Sequence, residues 1–261
     1  MGREHEMTRW LVTATLVFAL GCGGDAPGSG GEMVMGGQPA DSLPMGAGRL
    51  ELSFEHVFGD SELNLGDANE SAAGSLVQVN TLRYWVSNVV LVNTDGDVYR
   101  LPSSFYLVER TETNDRTVIA LDGIPDGTYT TLRMGIGVDA DHNHSLDLFE
   151  GELSTEVDMH WDWNTGFIFL KLEGTHGRTD PRGEFTIHVG NDPMYQSVSV
   201  SLGGLDIAEG GPAAVRLRVD LASVFDLVEL SETSRVIGGT AGSPAEAVIS
   251  RFAAEFSRID E

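Results

Sequence analysis

Cysteine is almost absent, with one residue in a chain of 261. That excludes an intramolecular disulfide and a thiolate metal cluster, and it raises the question of what a single cysteine does. Basic side chains are scarce as well: 16 Lys and Arg stand against 40 Asp and Glu, for a formal charge of −24. A surface of that sign repels polynucleotides, so no nucleic-acid partner is expected, and it favours cations. Most of these carboxylates are read as solvating groups. Signatures of hydrolytic and nucleotide chemistry are missing too: the chain has no G-x-S-x-G elbow, P-loop, dinucleotide fingerprint or H-E-x-x-H helix. No nucleophile–base pair emerges, and the protein is expected not to be an enzyme.

The position of the cysteine gives it a purpose. From Met7, an internal methionine that avoids the acidic Glu4 and Glu6, the chain reads Met-Thr-Arg, then an apolar run from Trp10 to Leu20, then Gly21-Cys22-Gly23-Gly24. A basic start, a short apolar run and a small residue at the break describe a secretory signal peptide; the run is too short for a permanent membrane span. Ala19-Leu20-Gly21-Cys22 resembles a bacterial lipobox, which makes Cys22 the expected lipidation site and residues 1–22 the lipoprotein signal peptide. The expected location is the bacterial cell envelope, with the protein held to a membrane by lipid on the periplasmic side or at the outer-membrane surface. Residues 23–48 are rich in Gly, Pro, Ser and Asp and read as a flexible tether. Met33 and Met35 within it are read as linker methionines.

From Arg49 to Glu261 the pattern is one of short alternating segments. Leu50, Leu52, Phe54, His56 and Phe58 share one face, and Glu51, Ser53 and Glu55 the other. Leu82 to Val92, Phe105 to Val108, Thr117 to Leu121 and Thr128 to Val138 continue the series. Phe167 to Leu172, Phe185 to Val189, Val198 to Leu202 and Val215 to Leu221 complete it. Ile124-Pro125-Asp126-Gly127 marks a turn in which Pro presets φ and Gly supplies φ > 0. Many short strands at this spacing imply an all-β fold, an antiparallel β-sandwich. The one expected helix is C-terminal, over Ala245 to Ser257 and opened by Ser243-Pro244.

The segment Met159-His160-Trp161-Asp162-Trp163-Asn164-Thr165-Gly166 holds two of the four tryptophans. As an extended segment it sends Met159, Trp161 and Trp163 to one side and His160 to the other. A soft sulfur beside two indoles fits copper(I) or redox chemistry; a tryptophan-rich core with methionine filling a gap fits the same pattern. Of the other histidines, His56 falls on the inward face of its strand, His188 lies opposite Phe185 and Ile187, and His176 sits in a Gly-rich stretch expected to be solvated. Asp139, Asp141, Asn143, Asp147 and Glu150 have calcium-loop spacing, but His144 stands where such a loop needs glycine. An ordinary Asp/Asn turn is the alternative and is favoured; calcium remains a possible cofactor at those five residues.

These segments together resemble the MbnP-like family of periplasmic or surface copper-binding β-sandwich proteins. The matching pieces are Phe54-Glu55-His56, Leu82 to Asn88, Gly135 to Asp139, Asn143, Met159 to Phe169, Lys171-Leu172-Glu173-Gly174 and Phe185 to Gly190. They span Leu50 to about Leu221. The resemblance implies copper bound by histidines near a tryptophan, and two neutral imidazoles suit Cu(I), which accepts low coordination. It also implies a tryptophan oxidised to kynurenine by a partner di-haem enzyme related to MauG. Carried over by motif, the metal-ligand candidates are His56 and His188, the modified position is Trp161 or Trp163, and Met159 is a soft neighbour. The alternative is a cell-surface binding or adhesion module with a calcium-stabilised loop.

Overall fold

A computed structural model of the protein describes residues 42–144, 151–161, 166–228, 230 and 232–259. The expected signal peptide with Cys22, most of the expected tether, Asp147, Glu150 and Trp163 lie outside these. The end of the expected tether is docked on the sandwich. Leu43 N–H donates to the Val98 carbonyl and Gly46 N–H to that of Gly123, so the domain already includes Ser42 to Ala47.

The described strands form two sheets. In the smaller, β1 (Gly48–Phe58) has β13 (Pro212–Asp220) along one edge, and β15 (Phe256–Arg258) lies outside β13. The other edge of β1 carries β2 (Ser61–Glu62) and β8 (Val118–Ile124). The larger sheet is built on β4 (Leu76–Asn93). Along one edge of β4 run β3 (Ala68–Glu70), β5 (Val98–Arg100) and β6 (Phe105–Arg110), with β7 (Asp115–Arg116) pairing β6. Along the other run β9 (Gly127–Ile136) and β10 (Ile168–Gly177), end to end. The sheet continues through β12 (Gln196–Ile207) beside β9, and through β11 (Gly183–Gly190) and β14 (Arg235–Gly238) beyond β10. Three short helices complete the described fold: α1 (Ala140–Asn143), α2 (Ala222–Leu227) and α3 (Pro244–Ala254).

The all-β sandwich is therefore as expected, with one correction. The sheets are mixed, because β1 pairs β13 in parallel and β11 pairs β14 in parallel. Parallel neighbours require a long crossover. Between Phe58 and Pro212 the chain builds nearly all of the second sheet, so it can return beside β1 in either direction. A second correction concerns the C-terminus. The helix opens as read, with the Ser243 hydroxyl accepting from Glu246 N–H and Pro244 in its first turn, but it ends at Ala254, and Phe256 belongs to β15. His176, expected to be solvated, is half-buried in β10.

Alternation on β1 works as the sequence predicts: Leu50, Leu52, Phe54, His56 and Phe58 are all buried. They face the inner side of the larger sheet, where Tyr84 of β4 stands. Phe54, Phe252 and Phe256 pack edge-on around the Tyr84 ring at centroid distances of 6.0, 5.0 and 5.9 Å. Phe225 of α2 bridges the layers, stacking on Phe58 at 5.8 Å and meeting Phe185 of β11 edge-on at 5.3 Å. Burying rings of this size removes several hundred Å² of apolar surface from water, at roughly 25 cal/mol per Å².

Part of the outer face of the larger sheet is apolar as well. β9 ends and β10 begins beside Trp85, whose carbonyl accepts from Gly137 N–H at 3.0 Å. Phe167, just before β10, meets Trp85 edge-on at 5.9 Å, and Trp85 is fully buried. Met159 and Trp161 are buried too.

Candidate functional site

Strand register decides which candidate residues can meet. Lys171 of β10 pairs Arg83 of β4 on one side and His188 of β11 on the other, so these three side chains share a face. Leu170 pairs Tyr84 and Val189 in the same way, and those share the opposite face. Tyr84 is on the inner face, against His56. His188 is on the outer face, and the backbone of the sheet separates the two histidines. This corrects the expectation that His56 and His188 form one ligand pair.

His56 is buried, with 2% of its surface exposed. Its Nε2 lies 3.0 Å from the Tyr84 hydroxyl, and its Nδ1 is buried with no hydrogen-bond partner. Burial first, and then the nearby Arg110 guanidinium, push its pKa from 6.5 down to about 3, so the ring is neutral at ordinary pH. Burial raises the Tyr84 pKa well above 10, so its O–H keeps its proton, and His56 Nε2 is its acceptor. The tautomer that gives the buried Tyr84 O–H its acceptor carries the imidazole proton on Nδ1. A metal at Nδ1 would need the lone pair there. It would move the proton to Nε2, leave the buried Tyr84 O–H without an acceptor and place a cation near Arg110. His56 does not fit a metal ligand in this setting.

His188 has the reverse arrangement. Its Nε2 is 2.7 Å from Glu173 Oε1. The hydrogen bond from His188 is the main reason the Glu173 carboxyl stays below its ordinary pKa; Lys171 adds to this, while burial opposes it. An ionised carboxylate only accepts, so Nε2–H donates, and the neutral ring keeps its lone pair on Nδ1. This is the arrangement a metal-binding histidine uses: one nitrogen oriented by a carboxylate, the other left for the ion. The Trp161 indole lies beside it, with ring centroids 6.5 Å apart and tilted by 49°. Trp161 is 5% exposed.

The indole fits because β11 ends in glycine two residues after His188. A Cβ on Gly190 would come within 3.0 Å of Trp161 Cζ2, 3.1 Å of its Nε1 and 2.5 Å of the Phe167 carbonyl oxygen. Met159 is fully buried two residues before Trp161, and His160 is half-buried in a bridge to Phe167. The expected alternation thus holds for the described part of this run. Among the described residues, no group of three or more His, Cys, Asp or Glu side chains is arranged to hold a metal ion. What the described residues bring together here is one imidazole beside one indole.

The described calcium-loop candidates have other roles. Asp139 caps α1; it accepts from Asn88 Nδ2 at 2.8 Å, from Asp141 N–H at 3.1 Å and meets His142 Nδ1 at 2.7 Å. Burial alone would raise its pKa, but the hydrogen bonds from Asn88 and His142 hold it below the ordinary carboxylate value. Asn143 is buried. Its Oδ1 accepts from Phe167 N–H at 2.7 Å and its Nδ2 donates to Asp192 Oδ1 at 2.8 Å, while His144 Nε2 meets Asp192 Oδ2 at 2.7 Å. These bonds fasten the turn to the start of β10 and to Asp192. They make the Asp/Asn turn the reading that the described geometry favours.

Four residues of these sites escape a reading of the sequence alone. Tyr84 and Glu173 fall inside quoted motifs, where alternation from Leu82 and from Leu172 could have placed them. Gly190 also closes a quoted motif, but nothing in it states that Trp161 packs there; Arg110 gave no signal, because its contacts come from distant strands.

Comparison with known proteins agrees with this architecture. The sequence profile of the MbnP family matches residues 47–240. Among solved structures, MbnP from Methylosinus trichosporium superposes with a TM-score of 0.51 at 17% identity, covering 75% of this chain and 82% of that one. At that identity the likeness speaks for the fold alone. A search of curated proteins found no match. The family profile covers most of the chain, including both histidine-bearing strands and the tryptophan run, and the chain belongs to the MbnP family.

Proposed function

We propose that this protein is a copper-binding member of its family that acts by binding rather than by catalysis, and that His188 holds the ion as copper(I). The observation that carries this reading is the Glu173–His188 pair against Trp161. Glu173 fixes the imidazole tautomer and directs the Nδ1 lone pair away from the carboxylate, while Gly190 leaves room for the indole to pack beside the ring. Copper(I) would supply a soft centre for an imidazole, an electron-rich ring and, if its side chain reaches, the Met159 sulfur.

The reading includes oxidation of Trp161 or Trp163 to kynurenine by a di-haem enzyme related to MauG, which supplies the oxidant. It also includes anchoring in the cell envelope through lipid on Cys22. Among the described residues no helix is long and apolar enough to cross a membrane.

Copper(I) titration against a colorimetric competitor tests the site. Wild-type protein should take up one equivalent, and His188→Ala should lose it with an unchanged circular-dichroism spectrum. Full copper uptake by His188→Ala, or none by the wild type, sinks the proposal. Intact-mass and peptide analysis of protein from its native host reads the modification separately: kynurenine exchanges one carbon of the indole for one oxygen. Fractionation of wild type and Cys22→Ser tests the anchor.

A further inference from the structure

His56 is left over from the copper reading, and its surroundings point to a different ligand. It lies at the floor of a cleft of about 380 Å³ formed by β1, β2 and the β6–β7 hairpin. Two buried nitrogens at this cleft have no hydrogen-bond partner, His56 Nδ1 and Arg110 Nε, and both are donors in the tautomer in which His56 Nε2 accepts from Tyr84. Arg110 is held at its other nitrogens, Nη1 donating to the Leu63 carbonyl at 2.8 Å and Nη2 lying 3.4 Å from Asp115 Oδ2. A buried N–H without an acceptor costs on the order of 1–3 kcal/mol, more when the group is charged. Two of them at one cleft are where an acceptor belongs.

The rest of the lining limits what that acceptor can be. Glu55, Glu62 and Asp115 also line the cleft. Glu55 is paired with Arg216 and Asp115 with Arg110, whereas Glu62 is exposed on the two-residue strand β2. With one cation and three carboxylates, the cleft repels a simple anion of high charge. It suits a molecule that carries both signs, with a carboxylate inward and an ammonium outward. The volume suits a molecule the size of a small amino acid. Both orphan donors are shielded from solvent, so entry requires a shift of the Arg110 side chain. Arg110 is the last residue of β6, before the exposed turn at Glu112–Asn114, and such a shift would loosen its bonds to Leu63 and Asp115.

We propose that the His56–Arg110 cleft binds a small zwitterion, its carboxylate accepting from His56 Nδ1–H and Arg110 Nε–H and its ammonium facing Glu62. The site lies on the other side of the larger sheet from His188, so it is independent of the copper reading.

The experiment is NMR titration of the full, ¹⁵N-labelled protein, following the His56 ring nitrogens and the Arg110 Nε–H. The probes are β-alanine, acetate and methylamine. β-Alanine should shift both signals in a saturable way at millimolar concentration. Acetate should bind several-fold more weakly, and methylamine should leave the His56 signals unmoved. Arg110→Gln should reduce β-alanine affinity at least tenfold, and Glu62→Gln should weaken β-alanine without affecting acetate. No movement of the His56 and Arg110 signals with β-alanine or acetate overturns the site, and acetate binding as tightly as β-alanine overturns the zwitterion. Because the signals are read in unaltered protein, a variant that fails to fold does not decide the outcome.

Discussion

The neutral, buried His56 should make the protein acid-labile in a pH range where its carboxylates are still silent. In the unfolded chain this imidazole titrates near its ordinary 6.5; in the folded protein burial, with help from Arg110, lowers that to about 3. Between those values the unfolded state binds a proton that the folded state does not, so stability falls as pH falls. The slope for one group is about 1.36 kcal/mol per pH unit, and the loss between about pH 7 and pH 5 is roughly 2 kcal/mol. No discount for solvent screening applies, because His56 is 2% exposed. Asp139, Glu173 and Asp192 have the opposite shift, with folded pKa values below the ordinary 3.8 or 4.5. Their stabilisation is complete above those ordinary values and is lost only at lower pH, so they do not contribute to the drop. Urea unfolding followed by tryptophan fluorescence at steps from about pH 7 to pH 5 would measure it, in wild type and His56→Gln. The glutamine can still accept from Tyr84 O–H but does not titrate. The wild type should lose about 2 kcal/mol more than the variant over this range, equivalent to a melting-temperature difference of roughly 4–8 °C for a domain of this size. Parallel losses in the two proteins would refute the burial argument.

Two further predictions concern the outer face. Gly190→Ala places a methyl group against the Trp161 indole and the Phe167 carbonyl; it should destabilise the domain by about 1–3 kcal/mol and shift the tryptophan emission, and an unchanged urea midpoint and spectrum would mean the indole is not seated there. Asn143→Ala removes the acceptor of the buried Phe167 N–H; it should cost about 1–3 kcal/mol and speed amide exchange at Phe167, and protection equal to wild type would show that another group accepts that proton.

The sandwich was legible because alternation is a local property. On β1 every second residue is apolar, and the buried face follows directly. The turn at Pro125-Asp126-Gly127 and the cap at Ser243 are local as well. Strand direction is not local. β13 lies parallel to β1 across a gap of more than a hundred residues, and no feature of either strand states its neighbour's direction. The missed boundary at Ala254 has a similar origin: Phe252 and Phe256 both pack on Tyr84 and read as one helical stripe, although the chain has become extended between them. His188 was placed opposite Phe185 and Ile187 by alternation alone. That placement is observed, and it is what removes His188 from the side of the sheet that His56 occupies.

The two histidines show why residue type alone could not assign the chemistry. Each imidazole has one nitrogen committed to a protein partner, and in the neutral ring the partner decides what the other nitrogen offers. Tyr84, a buried hydroxyl that keeps its proton, donates to His56 Nε2 and leaves an N–H at Nδ1. Glu173, an ionised carboxylate, accepts from His188 Nε2 and leaves a lone pair at Nδ1. An N–H beside an arginine attracts an acceptor; a lone pair beside an indole attracts a soft cation. Exchanging the partners should exchange the preferences. Tyr84→Phe removes the donor to Nε2 and permits the other tautomer at His56, whereas Glu173→Gln offers His188 an amide that can donate as well as accept. The ¹⁵N shifts of Nδ1 and Nε2 distinguish the two tautomers directly. Wild-type protein should show His56 protonated at Nδ1 and His188 at Nε2, and the same tautomer at both positions would remove the basis for giving them different ligands.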